Sequence, residues 1–60
     1  MEGEILRLTD VKQLVRLSKS QIYELASRGE FPRPFKLSQR ASGWDEKAVR
    51  EWIESRKAGT

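Results

Sequence analysis

The sequence predicts a mainly α domain carrying one small β-hairpin, with its elements in the order strand, helix, helix, hairpin, helix. Three observations lead there. Apolar residues recur at i, i+3, i+4 in three separate stretches, the spacing of an amphipathic helix. Ser18 and Asp45 stand where N-caps belong, and Gly29 stands where a left-handed C-terminal residue belongs. The run Phe31-Pro32-Arg33-Pro34-Phe35 cannot be helix, because each proline lacks an amide donor and pushes its predecessor toward extended geometry.

The elements follow in order. Residues 1–60 make one domain, with an ordered core at about 5–57; residues 1–4 are expected to be a mobile leader. Ile5-Leu6-Arg7-Leu8 reads as a short strand or as the extended lead into a helix. Thr9 is the expected N-cap of the first helix, since its hydroxyl can accept from a first-turn amide. Asp10 then sets negative charge at the positive end of the helix dipole. Val11, Leu14 and Val15 give a helix over 10–15, with Leu8 as part of a hydrophobic staple. Arg16-Leu17 interrupts the pattern and Ser18 caps a second helix, 19–28, whose inner face is Ile22, Leu25 and Ala26. A gap of about three residues between two helices is the connection of a helix-turn-helix unit. Pro32 and Pro34 form a rigid connector. Phe35-Lys36-Leu37 alternates as a half-buried strand does, a polar turn spans 38–43, and Trp44 is an apolar anchor, which together predict a hairpin over 35–44. Asp45 caps a third helix, 46–57, with the stripe Ala48, Val49, Trp52 and Ile53 and a Glu46–Arg50 pair on its other side. Residues 58–60 are expected to fray. The third helix and the two tryptophans close a core that two short helices could not build.

Composition excludes much. Sixty residues lie near the lower limit for independent folding, where about 60% of the unfolded surface is buried. The chain has no Cys and no His, hence no disulfide and no conventional zinc site. The commonest general base is absent, and so small a core leaves no room for a substrate cavity of about 300–1,000 Å³. No catalytic constellation or phosphate-cradling Gly-rich loop is visible, so no enzyme, cofactor or small-molecule effector is expected. The longest apolar run is two residues, against the ~20 a spanning helix needs. Met1-Glu2-Gly3-Glu4 lacks the basic start of a signal peptide. A cytoplasmic protein is expected.

The net charge of +3 is unevenly spread. Residues 1–15 carry −1, residues 16–43 carry +4, and residues 44–60 carry 0. The excess positive charge thus falls on the second helix and the hairpin, and residues 31–43 hold three bases and no acid. That is what attraction to a phosphate backbone requires. At about 100° per residue, Ser20, Glu24 and Ser27 face opposite Ile22, Tyr23 lies beside them, and Lys19, Gln21 and Arg28 flank them. Small hydroxyls at the N-terminal half of such a helix suit entry into a major groove. Glu24 there would repel phosphate, accept from a cytosine amino group or lie off the DNA.

Ser18-x-Ser20-x-Ile22-Tyr23-x-Leu25, Gly29-x-Phe31-Pro32-x-Pro34-x-Lys36-Leu37, Arg40-x-x-x-Trp44 and Val49-x-x-Trp52-Ile53 together resemble the AlpA family of phage and prophage regulators. That family is related to excisionases and to MerR-type DNA-binding domains, and the resemblance covers about residues 5–56. It implies a winged helix-turn-helix in which helix 19–28 recognises DNA and hairpin 35–44 is the wing. It carries functional roles onto Ser18, Ser20, Tyr23, Lys36 and Arg40; the chain departs at Glu24, where related sequences often have a basic residue. The expected function is a sequence-specific double-stranded DNA-binding transcriptional regulator, bacterial and nucleoid-associated when bound. Its expected contacts are Ser18, Lys19, Ser20, Gln21, Tyr23 and Arg28 from the helix and Lys36, Gln39, Arg40 and Ser42 from the wing. Further copies bound cooperatively, RNA polymerase or an integrase are the expected protein partners. An excisionase-like directionality factor is the alternative, and a protein-interaction module that does not bind DNA is the rival class.

Overall fold

The computed structural model describes residues 4–59. Its elements are β1 (Ile5–Leu6), α1 (Leu8–Val15), α2 (Lys19–Ser27), β2 (Phe35–Lys36), β3 (Ser42–Asp45) and α3 (Glu46–Ala58). The expected helix and hairpin order is present, and the chain is a three-helix domain with a small antiparallel sheet, consistent with a winged helix-turn-helix.

The sheet is larger than a hairpin. Its strand order is β1-β3-β2, so β3 is central and β1 pairs with it through Ile5–Asp45 and Leu6–Trp44. The wing pairs Phe35 with Gly43 and Lys36 with Ser42. Of the expected leader, residues 1–3 lie outside the described residues, whereas the Glu4 carbonyl accepts from the Glu46 amide at 2.8 Å and extends the β1 edge. Gly43 is buried between the flanking strands: a Cβ there would come 2.7 Å from Ile5 Cγ2 and 3.1 Å from Leu37 Cδ1. Successive residues of a strand face opposite ways, so Trp44 and Leu6 turn inward toward the helices.

Pairing β1 to β3 also moves the start of the first helix. Arg7, not Thr9, is the N-cap; it is extended at φ −89° and ψ 168°, and its carbonyl takes the first helical bond from the Val11 amide at 3.0 Å. Thr9 and Leu8 are therefore inside α1, and the staple positions pass to Val11, in the core, and to half-buried Leu6, packed against it. Asp10 reaches back and accepts from the Arg7 amide at 3.0 Å. Leu14 is not on the buried face: it is 37% exposed, whereas Val11 is fully buried.

Helix α1 ends at Arg16, which adopts the left-handed conformation (φ 61°, ψ 33°) and donates its amide to Lys12 at 2.8 Å. Helix α2 opens on a complete capping box: Gln21 N–H donates to Ser18 Oγ at 3.2 Å and Ser18 N–H to Gln21 Oε1 at 3.0 Å. It ends one residue earlier than expected. Gly29 takes φ +76°, Glu30 N–H reaches Leu25 O at 2.9 Å, and Gly29 N–H reaches Ala26 O at 3.0 Å, the Schellman pair. Asp45 caps α3 by accepting from the Ala48 amide at 3.1 Å. Ala58, expected to fray, is helical, and Gly59 caps it by donating to Ser55 O; Thr60 is outside the described residues.

Val11, Ile22, Ala26, Phe31, Trp44 and Val49 form the buried core. Two indoles tie the α2–β2 connector to it. Trp44 Nε1 donates to Pro32 O at 2.9 Å and Trp52 Nε1 to Glu30 O at 2.7 Å. Phe31 stands edge-on to Trp52 at 4.8 Å, and Tyr23 edge-on to Trp44 at 5.8 Å. Among the described residues no helix is long and apolar enough to cross a membrane.

Truncating Trp44 to Ala is expected to cost about 3–5 kcal/mol. That rivals the whole stability of a 60-residue chain at roughly 0.05–0.15 kcal/mol per residue, so a thermal melt followed by circular dichroism should show little cooperative unfolding. Arg16→Gly should act oppositely. It relieves a left-handed residue costing about 1–2 kcal/mol but adds unfolded-state freedom of about 0.4–1 kcal/mol. The melting temperature should rise by a few degrees, and a fall would show that Arg16 makes contacts outweighing its strained backbone.

Candidate nucleic-acid interface

The polar face of α2 is exposed, and its capping box limits the donors that face can offer. Ser18 and Gln21, both expected DNA contacts, are partners in the box, so the donor Gln21 has left for a base or phosphate is its Nε2. Lys19 and Ser20 are exposed in the first turn. Tyr23 is half-buried: its ring leans on Trp44 while the residue lines the surface clefts on either side of α2. Arg28 lies at the other end of the helix with Nη2 2.6 Å from Glu24 Oε2. Both side chains are exposed, so the pair contributes only about 0.3–0.5 kcal/mol to stability. Its consequence is electrostatic: Arg28 offsets the one acid on the outer face.

The wing is closed by a turn in which Ala41 N–H approaches Ser38 O at 3.4 Å, which places Gln39 and Arg40 at the tip. Arg40 N–H is held by Ser38 Oγ at 3.4 Å. Lys36 Nζ folds across the turn to Gln39 O at 3.4 Å, so the backbone of Gln39 anchors a lysine while its side chain stays exposed. Ser42 pairs with Lys36 across the ladder.

Helix and wing meet. A cleft of about 260 Å³ is lined by Lys19 and Tyr23 of α2, by Arg40, Ala41 and Ser42 of the wing, and by Arg7, Leu8 and Thr9 at the start of α1. Four expected contacts (Lys19, Tyr23, Arg40 and Ser42) thus share one concavity. Arg7 and Thr9 were not among the expected contacts. Arg7 belongs to the segment of net charge −1, and nothing in its local spacing sets it apart; only the β1–β3 pairing carries it to the wing. On the other side of Tyr23, Arg33 and Pro34 form a second cleft with Ala26 and Ser27 of α2. In the sequence Arg33 is one of the three bases of residues 31–43, and nothing in its spacing sets it apart. A third cleft runs along α1 beside Lys12, Gln13 and Arg16.

The ion pairs among the described residues are Arg28–Glu24, Arg50–Glu46 and Lys57–Glu54. None involves Arg7, Lys19, Arg33 or Arg40. The cations around the N-terminus of α2 and the wing are therefore not neutralised by ion pairs within the described chain, while the acids of α2 and α3 that do pair hold cations elsewhere.

Relatives give this surface its context. The chain is 41% identical over 58 residues to the uncharacterized protein ORF88 of Enterobacteria phage P4, an alignment covering 97% of this chain and 66% of that protein. The chain thus spans slightly under two thirds of that relative's length. Residues 4–57, which hold every element of the fold apart from the end of α3, match the family described as prophage CP4-57 regulatory protein (AlpA). With the three helices, the wing and the basic cleft in place, this match makes the chain a member of the AlpA family of phage regulatory proteins.

Proposed function

We propose that this chain is a sequence-specific binder of double-stranded DNA that regulates transcription. The N-terminal half of α2 enters a major groove, and the wing lies on the sugar-phosphate backbone or in the adjoining minor groove. The observation that carries this reading is the shared cleft: the first turn of α2 and the wing tip line one concavity rich in cations. A recognition helix and its wing must engage the same duplex, and that requires this arrangement. The regulatory family supports the same reading.

Ser20 and Tyr23 are the contacts assigned to base edges or their neighbours, with Nε2 of Gln21 beside them. Lys19, Lys36, Gln39, Arg40 and Ser42 are assigned to the backbone, with Ser18 closing the helix end against it. Arg28 compensates the charge of Glu24 and meets phosphate only at the edge of the footprint. A single module of this kind buries about 600–1,000 Å² of protein surface. Tight binding at one operator therefore calls for further copies on adjacent sites, or for a partner such as polymerase or an integrase.

A gel-shift titration with random duplex should give non-specific dissociation constants of about 10⁻⁴–10⁻⁶ M at physiological salt, tightening as salt falls. No shift at low salt would favour a protein-interaction module instead. Arg40→Ala should weaken binding to all sequences alike and lower the salt slope by about one. Ser20→Ala should change preference between sequences and leave the salt slope intact, because a hydroxyl displaces no counterion. Swapped outcomes for these two variants would mean that helix and wing have exchanged roles.

A further inference from the structure

We propose that the cleft between α1, α2 and the wing seats one phosphodiester group, and that this phosphate is the N-cap that α1 lacks. The inference rests on the DNA-binding reading above and names the site at which the backbone is clamped.

The argument starts from the three helix N-termini. In α2 the Ser18 hydroxyl accepts a first-turn amide, and in α3 the Asp45 carboxylate does so. Helix α1 has no side-chain cap. Its first helical bond is from Val11 to Arg7, so the amides of Leu8, Thr9 and Asp10 have no acceptor within the helix. Arginine is a donor only and offers them none. An arginine at this position also sets a positive charge at the positive end of a helix dipole, where an acid is favoured. As capping, Arg7 is a poor choice twice over.

An anion reverses both penalties. It accepts from the free amides and it draws the guanidinium in. The surroundings suit one: Leu8 and Thr9 line the cleft together with Arg7, Lys19, Tyr23 and Arg40. Three cations from three separate parts of the chain line it, with the hydroxyl-bearing Thr9 beside them. None of the three cations is in an ion pair among the described residues. Asp10 sits in the same first turn, but its carboxylate is engaged by the Arg7 amide at 3.0 Å and does not line the cleft. A volume of about 260 Å³ far exceeds the roughly 30 Å³ of one water and admits a tetrahedral oxyanion. The donor set is that of a phosphate site at a helix N-terminus. Because the cleft joins the first turn of α2 to the wing tip, the group seated there is a backbone phosphate at the junction of the two, and it fixes the register of the helix on the duplex.

The experiment is a scan in which single linkages of a bound duplex are replaced by neutral methylphosphonates, run with the wild type, Arg7→Gln and Arg40→Ala. In the wild type, one linkage per bound copy should weaken binding about tenfold or more. At that same linkage both variants should lose much less, because the contact is already gone. Parallel profiles for the wild type and Arg7→Gln would overturn the proposal, as would Arg7 and Arg40 mapping to different linkages. Arg7→Ser supplies the missing cap, so the free protein should melt at a higher temperature while binding DNA more weakly. A lower melting temperature would overturn the capping argument. If the wild type binds no duplex at low salt, the DNA reading fails, and inorganic phosphate tests the seat alone. Saturable amide shifts at Leu8, Thr9 and Ser42 that vanish in Arg7→Gln would uphold an anion site for free phosphate, and their absence would remove it.

Discussion

The buried indole of Trp44 fixes more of this molecule than any other group. It sits on the central strand, pairs with Leu6 of β1, stands edge-on to Tyr23 of α2 and donates to the Pro32 carbonyl of the connector. One side chain thus links β1, α2 and the approach to the wing. The bond matters because the Trp44 indole is fully buried, and a buried N–H left without an acceptor costs about 1–3 kcal/mol. The Pro-rich segment has few amides of its own with which to make a ladder. Trp52 performs the same task two residues earlier in the connector, at Glu30. Together with buried Phe31, these two donors fasten the connector between α2 and the wing to the core.

A chain this small has little core to stabilise it, and its helix ends show where stability was secured and where it was given up. Helix α2 has a capping box at one end and a Schellman turn at the other, and α3 has an aspartate cap. Helix α1 has an arginine at its N-terminus and a left-handed arginine at its C-terminus. Both are locally unfavourable choices. Both put a cation where local structure would prefer serine or glycine, and both lie beside surface clefts that carry other cations. Local rules broken on one element, beside a charged concavity, are the pattern expected where function competes with folding.

Much of the fold was legible in the sequence. Ser18, Gly29 and Asp45 mark helix ends by chemistry that operates within four residues, and the structure uses each of them as such. The buried faces of α2 and α3 follow from spacing alone. The failures occurred where a distant strand intervened. Thr9 has the right hydroxyl for a cap, yet the pairing of Leu6 with Trp44 keeps the chain extended only as far as Arg7, and the helix begins one residue later. Leu14 has the right spacing for burial, yet Val11 is the α1 residue that the rest of the fold covers completely.

The candidate site divides the same way. Charge is additive along a chain, so the positive excess over residues 16–43, the hydroxyl-bearing polar face of α2 and the basic turn can all be read from residue order. The Arg28–Glu24 and Ser18–Gln21 pairs are local contacts, four and three residues apart. Arg7 joins the site only through folding, by the pairing of β1 with β3. The physical reason is range. Capping and periodicity act over a single turn of helix, whereas the cleft is assembled from residues up to 35 positions apart, from Arg7 to Ser42, brought together by one antiparallel pairing to a central strand.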